Sequence, residues 1–177
     1  RVVSETTNQF RAPADKADRP YDVVLYGATG FTGGLTADYL LRHMPEGGAW
    51  AVAGRNRTKL DACVARLASA MPDVPAPAVV IADTEDPASL AELAESARVV
   101  ITTVGPYLEY GEPLVAACAE AGTDYVDLTG EPEFVDSMYL KYNDVAEATG
   151  ARLVHACGFD SIPHDLGVFY TMKQVPE

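Results

Sequence analysis

From Tyr21 onward the chain alternates short apolar runs with stretches of helical period, and no other feature constrains its fold as tightly. The runs at 23–26, 49–53, 78–82, 99–103, 125–128 and 153–156 read as six strands. Several are almost continuous in apolar residues, the pattern of strands covered on both faces in a parallel sheet. Between them, Leu60, Cys63, Val64, Leu67 and Met71 fall on one helical stripe, and Val135, Met138, Tyr139, Tyr142, Val145 and Ala146 form another that ends at Gly150. Glu112-Pro113 suits a helix start leading into Leu114, Ala117, Cys118 and Ala121, with Gly122 to close it. Strict strand–helix alternation with short connections specifies right-handed crossovers. The expected fold is therefore α/β, a doubly wound parallel six-stranded sheet whose ligands bind outside the carboxyl ends of the strands.

Composition bounds the function. The 177 residues amount to one domain. Residues 1–20 show no sustained period and read as a flexible leader, with the domain at 21–177. Acidic residues outnumber basic ones 26 to 13, for a net charge of −13 and a pI of 4.5, which argues against nucleic acid as a partner. No apolar run reaches the roughly 18 residues of a membrane span, and the start lacks a basic-then-apolar signal. The expectation is a soluble, cytoplasmic chain. Cys63, Cys118 and Cys157 are odd in number and widely spaced, so three reduced thiols are expected, with neither a disulfide framework nor a metal site. The charge is uneven: residues 1–66 hold nine basic and seven acidic residues, the rest four and 19. Arg55, Arg57, Lys59 and Arg66 cluster at 55–66, either as a solvated helix face or as an anion site.

After the first run comes Gly27-Ala28-Thr29-Gly30-Phe31-Thr32-Gly33, then a helix through Leu35, Tyr39 and Leu40. At a strand-to-helix turn, glycines allow a tight bend and let backbone amides approach a pyrophosphate, which the positive end of the helix dipole favours. Gly33 would allow close helix-to-sheet packing. This is a Rossmann-type dinucleotide loop in position, although its spacing is GxxGxxG. The second strand normally ends in an acid that binds the ribose 2′-OH. Here it is followed by Gly54-Arg55-Asn56-Arg57, which places two guanidinium groups and an amide where an adenosine 2′-phosphate would sit. At about 1.5 to 3 kcal/mol per charge-assisted bond, one arginine contact favours the phosphorylated cofactor tenfold or more. The cofactor expected is NADP(H). Asp83, after the third strand, either accepts from the adenine amine or caps the next helix. Val104-Gly105-Pro106-Tyr107, after the fourth, forms a stiff turn that would lie against the nicotinamide ribose or simply joins strand to helix.

These segments resemble the NADP-binding domain of the saccharopine dehydrogenase-like oxidoreductases. The resemblance rests on Tyr26 to Gly33, Gly54-Arg55-Asn56, Val104 to Tyr107, Gly111, Tyr125-Val126-Asp127-Leu128-Thr129-Gly130-Glu131, Gly158-Phe159-Asp160-Ser161-Ile162-Pro163 and Asp165-Leu166-Gly167, in the family's order. Within the family the chain is most similar to the mycobacterial-type trans-acting enoyl reductases. That resemblance implies NADPH-dependent reduction of a carbon–carbon double bond on a carrier-bound lipid or polyketide intermediate. The glycine spacing departs from that of lysine-pathway saccharopine dehydrogenases, whose imine reduction is the alternative reading. A non-catalytic NADP-binding sensor or accessory module is another. Family members continue into a second α/β domain, so a substrate domain, any homodimer contact and any membrane association would belong to further chain.

Hydride transfer needs a proton donor near the acceptor. Tyr107, Glu109, Tyr110, Glu131, His155, Asp160 and His164 lie at or beyond the carboxyl ends of the later strands. Tyr107 is the first candidate, with a packing ring as its alternative. His155, inside an apolar run, reads as a satisfied core histidine. Asp160-Ser161 before Ile162-Pro163 reads as a helix N-cap, and Cys157 as a small buried hydrophobe.

Overall fold

The computed structural model describes residues 15–175. Six strands and seven helices alternate: β1 (Tyr21–Tyr26), α1 (Phe31–His43), β2 (Trp50–Gly54), α2 (Arg57–Ala70), β3 (Ala78–Ile81), α3 (Pro87–Ser96), β4 (Ala97–Thr102), α4 (Tyr107–Tyr110), α5 (Glu112–Ala121), β5 (Asp124–Val126), α6 (Pro132–Thr149), β6 (Leu153–Val154) and α7 (Ile162–Met172). The sheet order is β3-β2-β1-β4-β5-β6 and every pair is parallel. The chain walks outward from β1 to β3, then crosses back to β4 on β1's other side. That reversal opens a crevice between the ends of β1 and β4, where such sheets bind dinucleotides.

Alternate strand residues enter two cores. Val24, Tyr26, Val100 and Tyr125 pack with Leu90, Leu93, Leu114, Cys118, Phe134 and Met138 beneath α3, α5 and α6. Leu25 and Val52 pack with Ala37, Leu41, Leu60 and Leu67 beneath α1 and α2. Helices α5 and α6 end at Gly122 and Gly150 in the left-handed conformation, as their sequence stops predict.

Two features differ from the sequence reading, and a third, in α7, lay outside it. The leader expectation fails for residues 15–20, while residues 1–14 lie outside the described residues. Lys16 donates to Asp124 (2.6 Å) and to the Gly150 carbonyl (3.0 Å). Arg19 is buried, donating to the Ala97 and Ala121 carbonyls at 2.5 Å each and to the Thr123 hydroxyl. Strands β5 and β6 are shorter than their apolar runs, and past their ends the Asp127 carboxylate takes the amides of Thr129 and Ala156. Finally, α7 buries no residue: Leu166, Val168, Phe169, Tyr170 and Met172 are all exposed.

Candidate functional site

The Gly27–Gly33 loop leaves β1 at the crevice. Gly27 has φ +91°, and a Cβ there would meet Val104 at 2.7 Å; a Cβ on Gly33 would sit 2.1 Å from the Gly27 carbonyl oxygen. These two glycines let α1 close against β1 and β4. Gly30 differs. It has φ −81°, and its Cβ would meet nothing nearer than 3.4 Å. The fold itself does not demand that glycine, so its openness faces outward. Gly30 is the N-cap of α1 and has no side chain to cap with, and the amides of Phe31, Thr32 and Gly33 find no acceptor among the described residues. Thr29, Gly30, Phe31 and Thr32 are exposed around this amide cluster. From β4's side the Thr103 hydroxyl braces the loop, 3.3 Å from the Gly27 carbonyl. Thr103 carried no sequence signal, because its role exists only once β1 and β4 are neighbours.

At the end of β2, Arg55 is exposed and has no ion-pair partner among the described residues. Arg57 is engaged with Asp61 one turn along α2 (2.8 Å). Asn56 caps α2, accepting from the Lys59 amide at 3.0 Å. Of the three polar groups expected at this place, one is free. Asp83 does not cap α3; that role belongs to Asp86, which accepts from the Ala88 and Ser89 amides. The Asp83 carboxylate takes only the nearby Glu85 amide at 3.2 Å.

On β4's side, Val104 is half-buried and Gly105 and Pro106, joined by a cis peptide bond, are exposed at the crevice. Tyr107 turns inward. Its hydroxyl donates to the Thr102 carbonyl at 3.1 Å, its ring packs on Phe134, and burial pushes it up to about 12. The hydroxyl is thus engaged with a backbone carbonyl and the ring with Phe134. Glu131 is a brace: its carboxylate accepts the Tyr107 and Leu108 amides at 2.9 and 2.8 Å, tying the turn after β4 to the loop after β5. Glu109, Tyr110, Asp160 and His164 are exposed on the rim. Ser161 is the N-cap of α7 with Pro163 in the first turn, as read from the sequence, although its side chain makes no capping hydrogen bond. Cys157 is exposed rather than buried.

Sequence reasoning missed the role of Asp127. Buried at the end of β5, its carboxylate accepts from the Tyr125 hydroxyl (2.9 Å), His155 Nδ1 (2.7 Å) and the amides of Thr129 (3.0 Å) and Ala156 (2.9 Å). Burial alone would raise its pKa, but the hydrogen bonds from His155 and the two amides hold it below the ordinary carboxylate value. His155 is thus held through Nδ1 by a carboxylate.

A cavity of about 540 Å3 borders the loop, lined by Gly30, Phe31, Gly34, Lys59 and Arg66. A larger one, about 670 Å3, lies at the opposite, amino ends of the strands, where Asp22 and Asp124 are paired with Arg98, Lys16 and Arg152. Those paired charges leave it without the chemistry of the crevice. Among the described residues no helix is long and apolar enough to cross a membrane.

Comparison with known proteins agrees with this geometry. The chain is 48% identical over 161 residues to trans-acting enoyl reductases of Mycobacterium ulcerans and Mycobacterium tuberculosis, which covers 91% of this chain and 38% of each relative. The chain therefore spans little more than a third of the length of these relatives. Among solved structures, saccharopine dehydrogenase (L-Glu forming) of Saccharomyces cerevisiae superimposes with a TM-score of 0.68 at 18% identity, covering 86% of this chain and 31% of that one. The triphenylmethane reductase of Citrobacter in complex with NADP(H) superimposes at 0.54 and 18% identity, covering 76% and 48%. Both show the fold. Residues 23–154 match the family described as the saccharopine dehydrogenase NADP binding domain. With an open amide cluster at a glycine the fold does not need, and a free guanidinium at the end of β2, the chain belongs to that family and its cofactor is NADP(H).

Proposed function

We propose that this chain is the cofactor-binding part of an NADPH-dependent reductase that saturates the double bond of an enoyl group on a carrier-bound lipid or polyketide intermediate. The observation that carries the reading is the 48% identity, over most of this chain, to proteins named trans-acting enoyl reductase. The Phe31, Thr32 and Gly33 amides, with the α1 dipole behind them, would hold the pyrophosphate at Gly30. The Thr29 and Thr32 hydroxyls flank it. Arg55 would take the 2′-phosphate, with Asn56 and Arg57 held back by the helix they start, and Asp83 would face the adenine. Val104, Gly105 and Pro106 would flank the nicotinamide ribose. When bound, the cofactor supplies the hydride. The chain's own residues orient it and keep the loops around it fixed, through Thr103 on the Gly27 carbonyl and Glu131 on the turn after β4.

The test is turnover by the full-length protein. NADPH oxidation is followed with an enoyl thioester on a carrier, and separately with an amino acid plus an aldehyde. Oxidation in the first assay alone is expected. Oxidation confined to the second would replace enoyl reduction with imine reduction, and none in either would leave a cofactor-binding module.

A further inference from the structure

The carboxyl rim holds one side-chain pair that cofactor binding does not absorb. His155 follows β6, and its Nδ1 is 2.7 Å from a buried Asp127 oxygen. A carboxylate only accepts, so Nδ1–H donates and the ring is fixed in one orientation and tautomer. Tyr125 and Phe134 hold the ring edge-on, with centroids 5.5 and 5.4 Å away. The remaining nitrogen, Nε2, has no partner among the described residues and is not a buried atom. The backbone is equally constrained. Ala156 is held at φ +57°, the sole described non-glycine residue at positive φ, with its amide on Asp127 and the next amide, of Cys157, on the Asp127 carbonyl (2.7 Å). Strain of this kind persists where surrounding bonds over-determine it, and it gathers at working sites.

We propose that His155 is the proton donor of the reduction, acting through Nε2, and that Asp127 is the positioning residue that orients its ring. The proposal rests on the enoyl-reductase reading for its substrate. In the step, one carbon of the double bond receives hydride from the reduced cofactor. The π electron pair moves to the neighbouring carbon and its carbonyl. The imidazolium Nε2–H bond breaks as that carbon gains the proton. The neutral imidazole then takes a proton from water, so the sum is substrate, NADPH and H⁺ giving saturated product and NADP⁺. The groups facing the ring are Tyr125 from β5, Asp127 just after it and Phe134 from α6; Tyr107 of α4 and the Cys157 thiol lie beyond them.

Two measurements test this. In the full-length protein, His155→Gln is expected to lower kcat about 100-fold, the usual size of a general-acid contribution. NADPH affinity should stay within about twofold by fluorescence titration, and the fall of kcat at high pH should vanish from the variant's profile. Asp127→Asn should lower kcat with NADPH affinity kept within about twofold, because an amide can present its NH2 to Nδ1 and turn the ring to the wrong tautomer. Unchanged kcat, or kcat and affinity falling together with the profile intact, overturns the proposal and leaves the pair a structural tie. The second measurement needs no turnover and no variant. The His155 ring resonances of the ¹⁵N-labelled chain should report a protonated Nδ1, and should shift with NADP⁺ but not with 2′-phospho-ADP-ribose, which lacks the nicotinamide. Equal responses to both compounds, or none to NADP⁺, overturn it even where His155→Gln fails to fold. Loss of enoyl turnover in the parent with the NMR response intact removes the substrate reading and leaves His155 at the nicotinamide.

Discussion

Gly30 and Gly33 stand three residues apart and do different work. Gly33 is required by the fold, since a methyl group there would overlap the Gly27 carbonyl at 2.1 Å. Gly33→Ala is expected to cost about 3 kcal/mol of stability, read as a lower midpoint in urea. Gly30→Ala should cost less than about 1 kcal/mol, because its φ suits any residue and its Cβ has room in the free protein. Its effect should fall on binding, with NADPH affinity dropping at least tenfold by calorimetry while the urea midpoint barely moves. Both variants losing stability equally would refute this division. The arginines divide the same way. Arg55→Ala is expected to narrow the preference for NADPH over NADH by about tenfold, the worth of one charge-assisted contact. Arg57→Ala should change it little, because Arg57 is already paired with Asp61. Equal affinities of the parent for the two cofactors would remove Arg55 from the 2′-phosphate site.

The elements after β4 are held to one another by side chains. Helix α4 is four residues long, too short to hold itself, and its leading amides are satisfied by Glu131 across 24 residues of sequence. Glu131→Ala should destabilise the domain by about 2 kcal/mol by leaving the Tyr107 amide without its acceptor in a partly buried place. NADPH affinity is expected to fall by a few fold, because the turn it fixes lines the crevice. A variant with parental melting temperature and affinity would show that Glu131 does not brace the turn. Helix α7 presents the contrasting case of an element rich in apolar residues with none buried.

At the scale of the molecule, Asp124 joins the amino ends of the strands. It accepts from Lys16 in the turn before β1 and from the Arg152 backbone and guanidinium before β6. Burial works against its charge, but the bonds from Arg152 and Lys16 prevail and lower its pKa to about 2 from 3.8. A carboxylate depressed in this way stabilises the fold fully above its unfolded value, and the gain is lost as pH falls from about 4 toward 2. Discounted for solvent, the effect is on the order of 1 kcal/mol. Asp124→Asn should flatten the stability profile over that range in acid-unfolding experiments; a profile as steep as the parent's would exclude Asp124 as its source. What the chain's sequence determined was the sheet class, the Gly27–Gly33 loop, the helix stops at Gly122 and Gly150, and a basic residue at the end of β2. Each depends on residues within a turn or two of one another, where period and glycine chemistry act directly. What only the tertiary structure decided was which polar groups remain free. Asp127 and His155 are 28 residues apart, and Arg19 and Thr123 are 104 apart. A carboxylate 28 residues from its histidine carries no local pattern, because hydrogen bonds are short-ranged and their partners are chosen by which strands become neighbours.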